Sequence, residues 1–177
     1  SLSGAEALYE EIKHLSQKPK WQWLVTLHPK MAEHTVKKYF GLENDNLSFF
    51  DTGEVINLLH RADAMVCDNS SILQEFLILG KPVVTFRNRM PQPCMIDIQA
   101  PGELQAAIES ALNPDASLQE AIKSYGPAFT PFLDGQSSSR VLDATEKMLD
   151  SGWQDKKPAN LWRNWKIRRQ LKYYKFW

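Results

Sequence analysis

The chain has 177 residues, 43% of them apolar and 24% charged, and its 21 Lys and Arg are matched by 21 Asp and Glu. That length carries one domain with a full hydrophobic core, and that composition excludes a disordered polymer. No apolar run reaches the roughly 18 residues of a membrane-spanning helix, and the two cysteines, Cys67 in a strand-like run and Cys94 in a Pro-rich loop, read as reduced thiols without metal-ligand spacing.

No signal-peptide pattern opens the chain, and Ser1-Leu2-Ser3 running straight into a helix reads as the beginning of a piece of something longer. From Ala5 to Leu15 the apolar residues Ala5, Leu8, Ile12 and Leu15 recur at helical spacing, which predicts an amphipathic helix packed on a sheet. Trp21 to Leu27 is rich in large β-formers and reads as a strand, stopped by His28-Pro29. A basic helix follows over Lys30 to Phe40, closed by Gly41, and then a short strand from Leu47 to Phe50. Asp51-Thr52-Gly53 turns into a helix over Val55 to Arg61, with Val55, Ile56, Leu58 and Leu59 expected to face inward.

The chain is organised around the next stretch. Ala64 to Cys67 is an apolar strand, Asp68-Asn69 a turn, and Ser70 or Ser71 a good N-cap for a helix that Gly80 ends before Pro82 opens the strand to Phe86. Two strands joined by one short helix make a βαβ unit, hence a parallel, buried pair. Arg87 to Pro93 is a loop, Met95 to Ile98 a small strand, and Pro101-Gly102-Glu103 opens a helix over Leu104 to Leu112. Leu118 to Tyr125 reads as a helix ended by Gly126-Pro127, and Ser137 to Ser139 start another through Val141, Leu142, Ala144, Met148 and Leu149. The succession predicts an α/β fold, a Rossmann-like parallel sheet with helices on both faces, over residues 1–152.

Residues 153–177 form a separate basic, aromatic helical tail. They hold eight of the Lys and Arg but one acidic residue, leaving thirteen basic and twenty acidic residues in the body. Trp162, Trp165, Tyr173, Tyr174, Phe176 and Trp177 alternate there with cations, the composition of a segment lying on an anionic membrane surface. The other reading is a C-terminal helix that packs on a neighbouring lobe. One basic stretch on an acidic body does not make a groove for nucleic acid.

Open parallel sheets bind ligands where the chain leaves the carboxyl ends of the strands. His28 ends the first strand, Asp68, Ser70 and Ser71 follow the third, and Arg87 and Arg89 follow the fourth. Helix-terminal N–H groups, hydroxyls and guanidiniums are what a clamp on a diphosphate needs, with Glu75 one turn on, within reach of a ribose. With no acidic cluster at metal spacing, cationic side chains rather than a divalent ion are expected to carry the phosphates. The alternative is that Ser70 only caps a helix and the charges are solvated.

Leu27-His28-Pro29, Asp68-Asn69-Ser70-Ser71 with Glu75 and Gly80-Lys81-Pro82 behind it, and Asp134-Gly135 followed by Ser139-Arg140-Val141 resemble a known family in order and spacing. They are similar to the donor-binding half of CDP-glycerol glycerophosphotransferases, the bacterial teichoic-acid primases and polymerases of cell-wall synthesis, over about residues 5–150. The resemblance implies the C-terminal lobe of a GT-B fold and transfer of glycerol phosphate from CDP-glycerol to a hydroxyl, without a tightly bound metal or another cofactor. It implies that His28 is the catalytic candidate at the donor phosphates, that Ser70 and Ser71 cap them, that Glu75 approaches the ribose, and that Asp134 and Gly135 lie beside the nucleotide. Its implied partner is the N-terminal lobe with the acceptor site and general base, without which this chain binds but hardly turns over. A cytoplasmic place, peripheral on the inner face of the membrane, goes with that reading. The same Ser-Ser helix and Gly-Lys-Pro strand are also similar to UDP-N-acetylglucosamine 2-epimerases and other GT-B glycosyltransferases, so a CDP- or UDP-activated donor stays open. A non-catalytic docking module stays open beside both.

Overall fold

A computed structural model describes residues 4–153 and 159–173, in two compact units, 1–131 and 132–177. In the first unit, α1 (Gly4–Ser16), β1 (Trp23–Val25), α2 (Glu33–Phe40), β2 (Leu47–Phe49), α3 (Val55–Arg61), β3 (Met65–Cys67), α4 (Ile72–Ile78), β4 (Val83–Phe86), β5 (Met95–Ile98), α5 (Leu104–Leu112) and α6 (Ala116–Phe129) follow in order. Short 3-10 turns at 52–54 and 101–103 lead into α3 and α5. The second unit holds α7 (Ser137–Asp150) and α8 (Leu161–Gln170).

Every pairing between these strands is parallel, with helical crossovers joining β1 to β2 and β3 to β4, and the loop 87–94 joining β4 to β5. The strands form two hydrogen-bonded sheets, β1-β2 and β3-β4-β5, with Trp23 opposite Leu47, Val66 opposite Val84, and Thr85 opposite Asp97. Leu8 and Leu15 of α1 belong to a cluster that takes in Trp23 of β1, Val66 of β3 and Val84 of β4, so one helix covers strands of both sheets.

β4 is buried at all four positions, and its alternation divides the core. Val84 and Phe86 pack with Leu8, Leu104 and Ile108, whereas Val83 packs with Phe76, Leu77, Cys94 and Ile122. Helices therefore cover both faces of the sheet, the Rossmann-like arrangement that the strand–helix alternation predicts. Phe76 at 0% exposure and Leu77 at 1% each contribute about 2 to 3 kcal/mol of burial on the α4 side. A third cluster of Tyr9, Tyr39, Leu42 and Leu47 holds α1 and α2 on the smaller sheet, where the Tyr39 hydroxyl donates to the Ala5 carbonyl at 2.5 Å.

Several elements depart from the sequence reading. α2 begins at Glu33 rather than Lys30, because the chain after His28-Pro29 spends residues 29–31 in a turn and Ala32 is extended. Ile56 is exposed at 54%: with Leu58 and Leu59 buried, it lies on the outer side of α3. α6 runs through Gly126-Pro127 to Phe129, since Pro127 forfeits one N–H while the Thr130 N–H reaches the Gly126 carbonyl at 2.9 Å and the Tyr125 and Phe129 rings stack at 5.7 Å. α7 runs as expected through Val141, Leu142, Met148 and Leu149, and all four are exposed. In the tail, Tyr174, Phe176 and Trp177 lie outside the described residues.

Candidate functional site

The loops that leave β3 and β4 are tied to each other. The Asn88 side-chain amide donates to the Asp68 carbonyl at 3.1 Å, and the Arg89 backbone N–H donates to Asn69 Oδ1 at 2.9 Å. Asp97 of β5 anchors the second loop from below. Its Oδ1 accepts from the Thr85 hydroxyl at 2.7 Å and the Asn88 N–H at 2.9 Å, and its Oδ2 accepts from the Gln99 amide at 2.5 Å. A carboxylate inside an apolar strand is stable there because three donors satisfy it. Asp97 is the residue that the sequence reading missed, and its signal was the lone acid in the run Met95-Ile96-Asp97-Ile98.

Asp68 is structural in this structure. Its Oδ2 accepts the Gly4 N–H at 3.2 Å and its Oδ1 the Asn69 N–H at 2.7 Å, which pins the start of α1 to the end of β3. Gly4 eases that approach, since a Cβ there would meet Phe86 Cδ1 at 3.1 Å and the ring would have to give by a few tenths of an ångström. Arg87 is likewise engaged. It holds a left-handed φ of 48°, its N–H donates to the Ile98 carbonyl, its Nε donates to the Gln99 carbonyl at 3.0 Å, and its guanidinium lies 4.8 Å from the Phe86 ring centre. A non-glycine residue in that region costs about 1 kcal/mol, which these contacts offset.

Other side chains on the same rim are left uncommitted. Ser71 precedes α4 in helical conformation and makes no side-chain cap, contrary to the sequence expectation, and neither serine hydroxyl has a partner among the described residues. The reason is that the Leu73 and Gln74 N–H groups already bond the Ser70 and Ser71 carbonyls, closing the first turn without a hydroxyl. The Arg89 guanidinium and the Glu75 carboxylate are exposed and likewise unpaired among the described residues. This rim thus offers two hydroxyls, one free cation and one free carboxylate.

His28 leaves β1, in the other sheet, and is exposed, its Nδ1 accepting the Lys30 N–H at 3.1 Å. No hydrogen bond or ion pair joins it to the β3 and β4 loops among the described residues. Lys81, the middle residue of Gly80-Lys81-Pro82, closes α3: its ammonium donates to the carbonyls of Leu59, His60 and Ala62 at 2.9, 2.7 and 2.7 Å. Cys67, beneath the rim, has its thiol pushed up to about 12, chiefly by burial and secondarily by the Asp68 charge.

In the second unit, Asp134 and Gly135 form a turn with Gly135 at φ 72°. The Arg140 guanidinium makes a two-pronged pair with the Asp134 carboxylate and sits 4.1 Å from the Phe132 ring centre. That pair, with the Gln136 N–H, holds the Asp134 carboxyl down at about 2. Among the described residues, no three His, Cys, Asp or Glu side chains gather as a metal site.

The family model for UDP-N-acetylglucosamine 2-epimerase matches residues 3–146, a span that includes every site residue named here. A protein of Clostridium acetobutylicum described as "Putative UDP-N-acetylglucosamine 2-epimerase" is 24% identical over 126 residues, covering 69% of this chain and 33% of that protein. The chain thus spans about a third of the length of the curated relative it matches. No solved structure matches it significantly.

Proposed function

The chain belongs to the UDP-N-acetylglucosamine 2-epimerase family, and on that premise we propose that it is the nucleotide-binding lobe of an enzyme acting on a UDP-activated amino sugar. The observation that carries this reading is the braced rim at the ends of β3 and β4, where Ser70, Ser71 and Arg89 stay free while their neighbours are consumed in holding the loops. Two hydroxyls and a guanidinium on fixed backbone suit the pyrophosphate of a nucleotide sugar, whose charge needs donors that do not have to reorganise. Glu75, one turn along α4, is assigned to the ribose hydroxyls. His28 is assigned to the phosphates from the end of β1, as the candidate catalytic group. Asp134 is given no direct ligand contact in this proposal, because Arg140 already occupies both of its oxygens; Gly135 supplies the turn that the pair requires. The rest of the active site is assigned to a second lobe.

A second reading is kept for one reason: the His-Pro, Asp-Asn-Ser-Ser, Gly-Lys-Pro and Asp-Gly blocks follow the order found in CDP-glycerol glycerophosphotransferases. The two differ in the base of the donor. Calorimetric titration of the chain with UDP, UDP-N-acetylglucosamine, CDP and CDP-glycerol separates them. The proposal expects the uridine compounds to bind and the Ser70→Ala, Ser71→Ala double variant to bind them at least about tenfold more weakly. Preference for the cytidine compounds would move the assignment to glycerol-phosphate transfer, and binding untouched by the double variant would remove the site from this rim.

A further inference from the structure

The second unit carries a surface that donor binding does not use. Between Asn160 and Tyr173 stand Arg163, Lys166, Arg168, Arg169 and Lys172, with no acidic residue. On α8, Trp162, Trp165, Lys166 and Arg169 follow the i, i+3, i+4, i+7 spacing of one helical face and line a shallow concavity. Trp162 is 75% exposed and Trp165 50%, and Leu161 beside them is 75% exposed. The two indoles stack with ring centres 5.1 Å apart, and the Arg169 guanidinium lies 5.5 Å from the Trp165 ring centre.

We propose that this face of α8 docks the protein on an anionic lipid bilayer. Large aromatic surface held in water is unfavourable, and an indole is most at home at the headgroup level, where its ring meets acyl carbon and its N–H meets water or ester oxygen. The cations around the indoles match lipid phosphates in sign. They need no fixed geometry of the partner, because a fluid surface brings its charges to them. Each Lys or Arg near such a surface multiplies partitioning about fivefold, and the effect fades beyond a Debye length. Lys166 and Arg169 share one face with the indoles, so the helix lies shallowly in the headgroups, reversibly and with strong salt dependence. A protein partner would need acidic groups in fixed register with Lys166 and Arg169 beside the stacked indoles. A nucleic acid would need a groove along its backbone, which a single ten-residue helix does not provide. The inference is independent of which donor the first unit takes.

The test is co-sedimentation of the chain with vesicles of phosphatidylcholine alone and of phosphatidylcholine mixed with phosphatidylglycerol. The chain should sediment with the mixed vesicles, be released by salt, and ignore the neutral ones. The Trp162→Ala, Trp165→Ala variant and the Lys166→Gln, Arg169→Gln variant should each lose at least about tenfold in partitioning. Asn164→Ser, off that face, should behave as the parent. Circular dichroism of each variant, with helix content unchanged, separates loss of docking from loss of the helix. Equal sedimentation with neutral vesicles, none with mixed ones, or parent-like partitioning of both double variants would overturn the proposal. Tighter binding to a single-stranded polynucleotide than to mixed vesicles would also overturn it and give the face to nucleic acid.

Discussion

Asn69 Oδ1 accepts the backbone N–H of Arg89 at 2.9 Å across 20 positions of sequence, so that the turn after β3 holds the loop after β4. One short polar side chain thereby fixes the place from which the free Arg89 guanidinium projects. Asn69 looks like an ordinary turn former in the sequence, and its function in the fold is that of a brace.

Asn69→Ala removes this acceptor and should cost about 0.5 to 1.5 kcal/mol in urea denaturation. The same variant should weaken UDP binding, whereas Asn69→Asp, which keeps an acceptor oxygen, should hold the loop. A stability loss in Asn69→Ala with UDP affinity intact would mean that the brace does not position the site.

Lys81 spends all three ammonium protons on the Leu59 and His60 carbonyls at the end of α3 and on that of Ala62 just beyond it. Lys81→Met keeps the apolar stem and deletes the donors, and should destabilise the chain by about 1.5 to 3 kcal/mol, read as a lower urea midpoint at unchanged slope. Lys81→Arg should recover part of that loss, because a guanidinium still donates but is too broad to reach three converging oxygens in the same way.

The Asp134–Arg140 pair gives a pH signature. The folded-state pKa is depressed from 3.8 to about 2, first by Arg140 and then by the Gln136 N–H, so the contribution is complete above 3.8 and is lost as pH falls through about 2. Both partners are partly solvent-exposed, and salt should weaken the pair. A carboxyl titration of Asp134 by NMR should move up toward the ordinary value in Arg140→Gln; an unmoved midpoint would leave the backbone N–H as the whole cause.

Cys67 should be inert in the native chain. With its thiol raised to about 12, the thiolate fraction in mildly alkaline buffer falls about a thousandfold below that of a free cysteine. Cys94, also raised by burial, should be slow as well. Iodoacetamide should label neither quickly until urea is added; rapid native labelling of Cys67 would show that β3 opens readily.

Most of the fold is legible from local pattern. The apolar run Val83-Val84-Thr85-Phe86 reads as a buried parallel strand because nothing in it faces water, and it is buried on both sides. Gly80, at φ 75°, ends its helix where a side chain would be strained. What local pattern could not supply was the end of α6, where Gly126-Pro127 is a breaker by composition yet lies inside a helix. Nor could it show that Ile56 lies outside while Leu58 and Leu59, expected inward, are inside, since one residue of phase on a short helix changes the face.

By itself the sequence determined the alternation of strands and helices, the parallel pairing, the basic aromatic tail and the set of polar residues at the strand ends. These follow from periodicity, turn chemistry and charge, which act between near neighbours. Only the tertiary structure decided which of those polar groups are spent and which are free. Asp68 bonds Gly4 across 64 positions, Asn88 and Asp97 brace a loop, and Lys81 closes a helix that ended some twenty residues earlier, while Ser70, Ser71, Glu75 and Arg89 stay uncommitted. A hydrogen bond is satisfied by whichever partner folding brings within 3 Å or so, and that distance is set by the packing of the whole unit rather than by the residues on either side.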